Sequence, residues 1–481
     1  MVFVSEIFLF YFLPLVLLVA YFLRRKSVIL YLGWLSVASV VFYSWETPFY
    51  FLLIVFCVLS NWFLTSRMHQ SQDATLRRSL FLGVLILNVG MLIFFKYTKF
   101  LATNFNQLTG VFGIQLFDPA FGVGRFINNI VFPLGISFYT FHLLSYAIDL
   151  YVKKITPART FIEFVCYVTF FPQLVAGPIV RYSEIQKDLG RPETNHVNIQ
   201  AGTVFFIIGL AKKALIADSL APFVNCVFDG GGTGSGLLTL LGTVAYAFQI
   251  YFDFSGYSEM AVGMGLMLGI KLPQNFNSPY KSKSVTEFWR RWHMTLSFWF
   301  RDYLFFPLSM RYLSAGNTEL NRYLPVLIVM VLIGFWHGAG WTFFMFGLIY
   351  GIALIAEDVL IFRKKKKTSA ITQIWFWCVM LSAYILFRST DLKAAGGVFH
   401  TIFFNLLNKS FFHDVKSLPL DALIGGALIA PVAWMVLFQK NVYEMDKRLT
   451  LSKAILLSVL FIVSVYFLLA RDYIPFLYFQ F

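Results

Sequence analysis

A histidine inside a long apolar segment is the residue of this sequence best placed to do chemistry. His337 lies near the middle of residues 323–356, which are almost wholly apolar. An ionisable side chain at membrane depth is costly and by default marks a functional site. Imidazole also exchanges protons near neutral pH. The position therefore predicts either a general base or a histidine that only hydrogen-bonds between helices.

The same segment is too long to be one straight helix across a membrane. A helix of that length would cover about 50 Å, whereas the hydrocarbon core of a bilayer is about 30 Å thick. Gly334, Gly338 and Gly340 surround the histidine and are poor helix formers. We therefore expect the helix to bend, break or tilt beside His337.

A second histidine, His293, lies in an aromatic and basic segment, residues 287–303. Helical spacing predicts one interfacial helix there. Its apolar side would carry Phe288, Trp292, Leu296, Trp299 and Tyr303, and the opposite side Arg290, Ser297 and Arg301. His293 falls beside Trp289, Leu296 and Phe300, so we expect it to face protein or lipid. The alternatives are a packing histidine and an interfacial anchor without chemistry.

The other histidines are weaker candidates. His142 lies in an apolar motif and is predicted to be structural. Four more lie in polar loops and are predicted to be solvated: His69, His196, His400 and His413.

Three carboxylates, Asp149, Asp253 and Glu259, lie in or beside apolar stretches. A buried carboxylate needs a partner. For Asp253 the candidate partner is an arginine at 290, 291 or 301, in a buried ion pair that fixes helix positions.

The composition requires lipid as the main solvent. Of 481 residues, 58% are hydrophobic and 13% are charged, with a mean hydropathy of +0.71. Soluble domains carry about 25% charged residues, so this chain has too few charged residues to cover a water-facing surface. The net charge of +15 comes from clusters beside apolar runs, which favours the positive-inside rule over nucleic-acid binding. A phosphate-binding loop, a zinc-ligand pattern and a serine nucleophile elbow are all missing from the sequence.

Apolar runs of about 20 residues predict about 11 membrane-embedded segments in one domain, residues 1–481. The candidates are 7–23, 28–45, 49–64, 79–95, 161–180, 203–225, 238–269, 323–356, 371–388, 420–438 and 454–470. Residues 97–160 and 270–322 are predicted to be re-entrant or interfacial. Basic clusters at 24–27, 65–78, 363–367 and 440–453 predict cytoplasmic loops, whereas the turn at 45–48 with Glu46, residues 389–419 and both termini would lie outside.

Six motifs, in order along the chain, resemble the membrane-bound O-acyltransferases, and more narrowly the alginate O-acetylase branch of that family. They occupy residues 133–141, 171–178, 251–258, 274–280, 286–293 and 335–339. The family's core motifs would then lie within about residues 130–360.

The resemblance implies an all-α ring of tilted transmembrane helices around a central funnel. His337 would occupy the catalytic position and His293 the second histidine position. The implied donor is acetyl-CoA, with no bound cofactor and no metal. Arg290, Arg291 and Arg301 would attract its phosphates, and Asn277 would join them in substrate binding. The acetyl group would pass to a periplasmic acetyltransferase that modifies a polysaccharide outside the bacterial inner membrane.

The sequence is also compatible with other functions. Within the family, the alternatives are O-acetylation of peptidoglycan or cellulose and export of D-alanine to a cell-wall polymer. The alternative from a different class is a proton-coupled transporter that uses histidines and carboxylates as a relay.

Overall fold

The structure is a computed structural model. It describes residues 1–45, 49–112, 116–119, 121–229, 234–316, 318–362, 368–406, 408, 410–471 and 474–477. Every regular element in those ranges is helical. The predicted basic cluster at 363–367 and Glu46 in the predicted external turn lie outside the described residues.

The chain divides into two compact units. Unit 1 comprises residues 1–202 and 261–273, and unit 2 comprises residues 203–260 and 274–481. The prediction of a single domain across residues 1–481 stays a prediction.

Unit 1 contains the helices of the N-terminal part. They are α1 (Leu13–Leu23, after a π turn at Ile7–Phe12), α2 (Val28–Ser44), α3 (Phe49–Gln70), α4 (Ala74–Gly110), α5 (Gly122–Asn128), α6 (Ile136–Tyr151), α7 (Phe161–Thr169), α8 (Phe171–Leu174) and α9 (Tyr182–Gly190). Two buried amides of this unit pair with each other: Asn61 and Asn88 exchange hydrogen bonds between α3 and α4. Buried amides in such a pair fix the register of two apolar helices.

Two helices, α10 (His196–Ala211) and α12 (Gly236–Met267), have residues in both units. The other helices of unit 2 are α11 (Asp218–Phe228), α13 (Val285–Trp289), α14 (Met294–Phe300), α15 (Phe306–Ser314), α16 (Glu319–His337), α17 (Trp341–Glu357), α18 (Ala370–Arg388), α19 (Leu392–Phe404), α20 (Phe411–Lys416), α21 (Leu420–Ala427), α22 (Ile429–Phe438) and α23 (Leu451–Ala470).

The predicted multi-pass, all-helical architecture is confirmed. Among the described residues, eight helices are long and apolar enough to cross a membrane, and three shorter apolar helices accompany them at Ile7–Leu23, Val28–Ser44 and Leu392–Phe404. Large apolar side chains stay exposed on many of these helices, for example Ile86 on α4 and Ile462 on α23. Lipid is the natural neighbour of such surfaces.

The expectation that residues 323–356 break beside His337 is confirmed. Helix α16 ends at His337, α17 begins at Trp341, and Gly338 and Gly340 between them are extended.

Two other expectations are wrong. Residues 161–180 are not one span, because the chain leaves the helix at Phe170 and again after Leu174. Gly177 then lies so close to the carbonyl oxygen of Pro172 that a Cβ would stand 2.3 Å from it. Residues 287–303 are not one helix either, because α13 ends at Trp289 and α14 begins only at Met294.

Candidate active site

Helices α16 and α17 form a close hairpin that carries His337 at its bend. Glycines allow the two backbones to touch: a Cβ on Gly334 would stand 2.2 Å from the carbonyl oxygen of Phe343, and one on Gly347 would stand 2.3 Å from that of Met330. His337 is the last residue of α16 and is 5% exposed. The hairpin therefore holds the imidazole inside unit 2 on a rigid support.

Aromatic rings surround His337. Its ring centroid lies 5.0 Å from Trp336, 5.6 Å from Phe346 of α17 and 5.2 Å from Phe387 of α18. All three rings meet it edge-on or nearly so. These contacts limit the rotation of the imidazole and leave little of it exposed.

His293 lies at the interruption between α13 and α14 and has left-handed backbone angles, with φ at +41°. Such a conformation costs about 1–3 kcal/mol in a non-glycine residue and persists only where the surroundings impose it. The extended segment around Asn275 holds His293 in this conformation through backbone hydrogen bonds. The carbonyl of Asn275 accepts the N–H of Met294, and the N–H of Asn277 donates to the carbonyl of Arg291.

The side chain of Asn275 also determines the tautomer of His293. Asn275 Nδ2 donates to Ser258 Oγ at 3.1 Å, so its Oδ1 is the acceptor that faces Thr295 Oγ1 at 2.9 Å and His293 Nδ1 at 3.1 Å. The proton of the neutral ring therefore lies on Nδ1, and the lone pair lies on Nε2. Nε2 is buried and has no hydrogen-bond partner within the described part of the chain.

The structure brings the two predicted histidines to one indole. The ring of Trp336 lies 5.9 Å from His293 and 5.0 Å from His337. Phe254 of α12 closes the other side of His293, edge-on at 4.7 Å. His293 lies outside the membrane-spanning helices, between Gly236–Met267 and Glu319–His337. Burial lowers the pKa of this imidazole to about 3. Its ring is neutral at physiological pH.

A cavity of about 630 Å³ runs along α16. Arg290, Arg301 and Arg322 are the basic residues of its lining, which also includes Tyr323 and Asp358, and the hydroxyl of Tyr323 donates to Asp358 at 2.8 Å. The rest is mainly apolar and is lined by Trp289, Phe300, Phe305, Val326, Val329, Met330, Ile333, Leu354 and Ile355. From Arg322 to Ile333 the wall extends about 16 Å along the helix axis, and Ile333 stands one turn before His337.

Two of the three predicted arginines line this cavity, and one does not. Arg290 and Arg301 do, with Arg301 also paired to Asp302 at 2.7 Å. Arg291 instead pairs with Glu287 at 2.9 Å and donates to the carbonyl of Asn277 at 3.1 Å.

The side chain of Asn277 also has a partner in the protein, since its Oδ1 accepts from Asn441 Nδ2 at 3.2 Å. Arg291 and Asn277 therefore hold the two chain segments beside His293 together.

Three further residues of the site were not predicted. Asn275 belongs to the motif at residues 274–280, but the sequence pattern does not distinguish it from Asn277. Arg322 stands at the start of a span and reads as a topological charge. Glu357 is buried and accepts the N–H groups of Val285 and Thr286 at 2.6 and 2.9 Å, so it caps α13 from α17. A carboxylate at a helix N-terminus satisfies donors that the helix leaves unpaired.

The predicted buried ion pair of Asp253 exists, but the predicted arginine partner is wrong. Lys213 pairs with Asp253 at 2.7 Å and with Asp218 at 2.7 Å. The other two carboxylates also face lysines, Glu259 with Lys212 and Asp149 with Lys154. Lys213 can reach Asp253 because it lies just after α10, which packs closely against α12 at Gly209 and Gly256. The arginines instead line the cavity or pair with Glu287 and Asp302.

For the remaining histidines the predicted exposure is confirmed, but the predicted loop positions are wrong, because the four exposed ones lie in α3, α10, α19 and α20. His142 is buried in unit 1, and its Nε2 accepts the N–H of Val180 at 3.3 Å. The four predicted to be solvated are exposed: His69, His196, His400 and His413.

Known proteins resemble this chain over most of its length. A peptidoglycan O-acetyltransferase of Helicobacter pylori is 36% identical over 430 residues, which cover 82% of this chain and 78% of the relative. A probable alginate O-acetylase of Azotobacter vinelandii is 33% identical, with 100% of each chain covered. A teichoic acid D-alanyltransferase of Bacillus subtilis is 30% identical over 54% of this chain and 67% of its own length.

A family assignment follows from these relatives and from a sequence model. The model of the membrane-bound O-acyltransferase family matches residues 125–390, a range that includes His293, His337 and the arginine-lined cavity. The family's reaction needs an acyl donor rather than a resident cofactor. The chain therefore belongs to the membrane-bound O-acyltransferase family and is a multi-pass membrane enzyme that transfers acyl groups to hydroxyls.

Proposed function

We propose that this enzyme takes an acetyl group from acetyl-CoA on the cytoplasmic side and moves it across the membrane for O-acetylation of an extracytoplasmic polysaccharide such as alginate. The observation that carries the proposal is the cavity that follows α16 from Arg322 toward His337 and has Arg290 and Arg301 in its lining. The names of the full-length relatives favour acetyl as the group and a polysaccharide as the final acceptor.

The lining of the cavity suits the parts of the donor in order. Arg290, Arg301 and Arg322 offer forked donors to phosphate oxygens, which guanidinium groups bind strongly. The aliphatic wall of Val326, Met330 and neighbouring residues suits an uncharged arm that ends in the thioester. The thioester would then lie beside the hairpin bend and His337.

At the bend, His337 is proposed to act as general base. It accepts the proton of an acceptor hydroxyl while the oxygen attacks the thioester carbonyl. The C–S bond breaks, the acetyl ester forms, and the thiolate leaves and takes up the proton. General-base catalysis of this kind contributes about 10²–10⁴-fold in rate.

His293 is proposed to position the donor or to polarise its carbonyl. Its lone pair on Nε2 is unused within the described residues, and Asn275 holds the ring from the opposite side. A neutral ring with one fixed tautomer can accept a hydrogen bond from the donor's amide or from an ordered water, and so fix the thioester beside His337.

The proposal extends to location and partners. The enzyme would lie in the bacterial inner membrane as one domain, with both termini outside, and would pass its acetyl group to a separate periplasmic acetyltransferase. A second candidate function is D-alanyl transfer, which is favoured by relatives named for that activity that match about half of this chain.

The test is the O-acetyl content of extracellular polymers, measured by mass spectrometry. Cells that carry His337→Ala should lose O-acetyl groups to the level of a deletion strain, whereas the exposed control His400→Ala should match the wild type. Full O-acetylation with His337→Ala would refute the assignment. D-alanyl esters in place of acetyl esters would favour the second candidate.

Donor binding tests the cavity separately. With labelled acetyl-CoA and purified enzyme in nanodiscs, Arg322→Gln should weaken binding about tenfold, since it removes one charge-assisted contact. Arg311→Gln, a change of the same kind at an exposed arginine outside the lining, should bind as the wild type does. Equal binding by both variants would show that this cavity does not bind the donor.

A further inference from the structure

A second cavity, of about 360 Å³, lies among helices on another side of unit 2. Most of its lining is aliphatic, from α10 and the turn after it (Ile208, Ala211, Leu215, Ile216), from α22 (Met435, Val436) and from α23 (Leu460). Tyr251 and Phe252 of α12 complete the apolar part. None of these residues lines the arginine-rich cavity.

One end of this second cavity is polar and basic. Gln439, Lys440 and Asn441 line it just where α22 ends, and Ser278 faces them. Lys440 is exposed. Lys281 reaches the same end, since its Nζ donates to the carbonyl of Gln439 at 2.7 Å.

The loop that forms this end is basic as a whole. Residues 439–453 carry four basic side chains against two acidic ones: Lys440, Lys447, Arg448 and Lys453 against Glu444 and Asp446. Positive-inside reasoning predicts that this loop is cytoplasmic. The cytoplasmic leaflet carries the anionic lipids that such loops attract.

We propose that this second cavity is a binding site for an anionic phospholipid. One acyl chain would lie between α10, α22 and α23, and the phosphate would lie at Lys440 beside Lys281. Since a lipid chain leaves hydrocarbon to enter hydrocarbon, the apolar lining gives no preference among lipids. Lys212, the other lysine of the lining, is paired with Glu259. The charge at the polar end therefore decides selectivity, and phosphatidylglycerol should be preferred to zwitterionic phosphatidylcholine.

The site has a direct route to the catalytic segment. Asn441 donates to Asn277 Oδ1 at 3.2 Å and to Ser278 Oγ at 3.0 Å. The N–H of Asn277 in turn donates to the carbonyl of Arg291, two residues before His293. A bound lipid would brace this chain of contacts, so acyl transfer should depend on anionic lipid. The lipid site itself stands independently of the donor and acceptor proposed above.

Lipid retention measured by native mass spectrometry tests the site. The full chain is reconstituted in vesicles with equal amounts of phosphatidylglycerol and phosphatidylcholine, extracted, and analysed for bound lipid. The wild type should retain phosphatidylglycerol at least threefold over phosphatidylcholine. Val436→Trp fills the cavity and should remove the bound lipid, whereas Leu437→Trp, the next residue on α22 and outside the lining, should retain it.

Charge is tested with a second pair of variants. Lys440→Gln should abolish the preference for phosphatidylglycerol while a lipid is still retained. Lys453 lies in the first turn of α23 and is paired with Asp446, so Lys453→Gln should keep the preference. Because Lys440 is exposed, this variant should fold even if Val436→Trp does not. An unchanged preference with Lys440→Gln, or unchanged retention with a folded Val436→Trp, would overturn the proposal.

Discussion

Two buried histidines, His142 in unit 1 and His293 in unit 2, differ in what their lone pairs do. Both side chains are fully buried. The lone pair of His142 is occupied, because its Nε2 accepts the N–H of Val180, and the nitrogen that remains carries a proton. In His293 the proton faces Asn275, and the lone pair is the part without a partner among the described residues. Burial alone therefore does not distinguish a structural histidine from a functional one, whereas the unoccupied lone pair does.

The largest effect should come from removing the unoccupied lone pair. His293→Ala should lower kcat for acyl transfer about 100-fold, because the donor loses a fixed contact beside His337. The thermal unfolding midpoint should be measured on the same sample to show that the variant is folded. A folded variant with wild-type kcat would contradict a catalytic role for His293 and the proposed difference from His142.

The matching change at the occupied lone pair should affect stability rather than catalysis. His142→Ala leaves the N–H of Val180 unpaired in the core and should lower the free energy of unfolding by about 1–3 kcal/mol. The kcat of the folded fraction should stay at the wild-type level. Denaturant titration in detergent and turnover per folded enzyme measure the two quantities. A catalytic loss without a loss of stability would contradict the structural role of His142.

A smaller effect is expected from the residue that orients His293. Asn275→Ala removes the acceptor for Nδ1–H and should lower kcat about tenfold through loss of tautomer and orientation. Ser258→Ala, which only loosens Asn275, should cost less. If both variants have equal kcat values, Asn275 does not act through the ring.

The smallest effect is a change of pH dependence. Burial lowers the pKa of His293 to about 3, so this ring should contribute no change in rate between pH 6 and 8. In Asn275→Asp the new carboxylate raises that pKa, and the ring gains a proton as the pH falls. Protonation removes the lone pair, so the ratio of rates at pH 8 and pH 6 should rise roughly threefold over the wild type. An identical ratio would show that Nε2 takes no part in the reaction.

Features with local causes were predictable from the sequence. Apolar runs of sufficient length gave the helices of the membrane domain, since lipid leaves the backbone few alternatives. The break after His337 followed from helix length and from Gly338 and Gly340. The six ordered motifs gave the family.

Features that depend on distant contacts were not predictable. Helical spacing assumes an unbroken helix, but the segment around Asn275 forces His293 into a left-handed conformation and divides residues 287–303 in two. Lys213 is 40 residues from Asp253 in sequence, and no pattern along the chain pairs them. Glu357 caps a helix that begins 72 residues before it.

The glycine contacts between α16 and α17 restrict where the protein can move during substrate entry and product release. Where backbones touch at Gly334 and Gly347, neither helix can slide without a steric clash, and side chains cannot absorb the movement. The hairpin therefore behaves as a rigid unit. Any movement that admits a donor or releases a product must occur in the elements packed around this hairpin, such as α18, which carries Phe387, or the short helices on either side of His293.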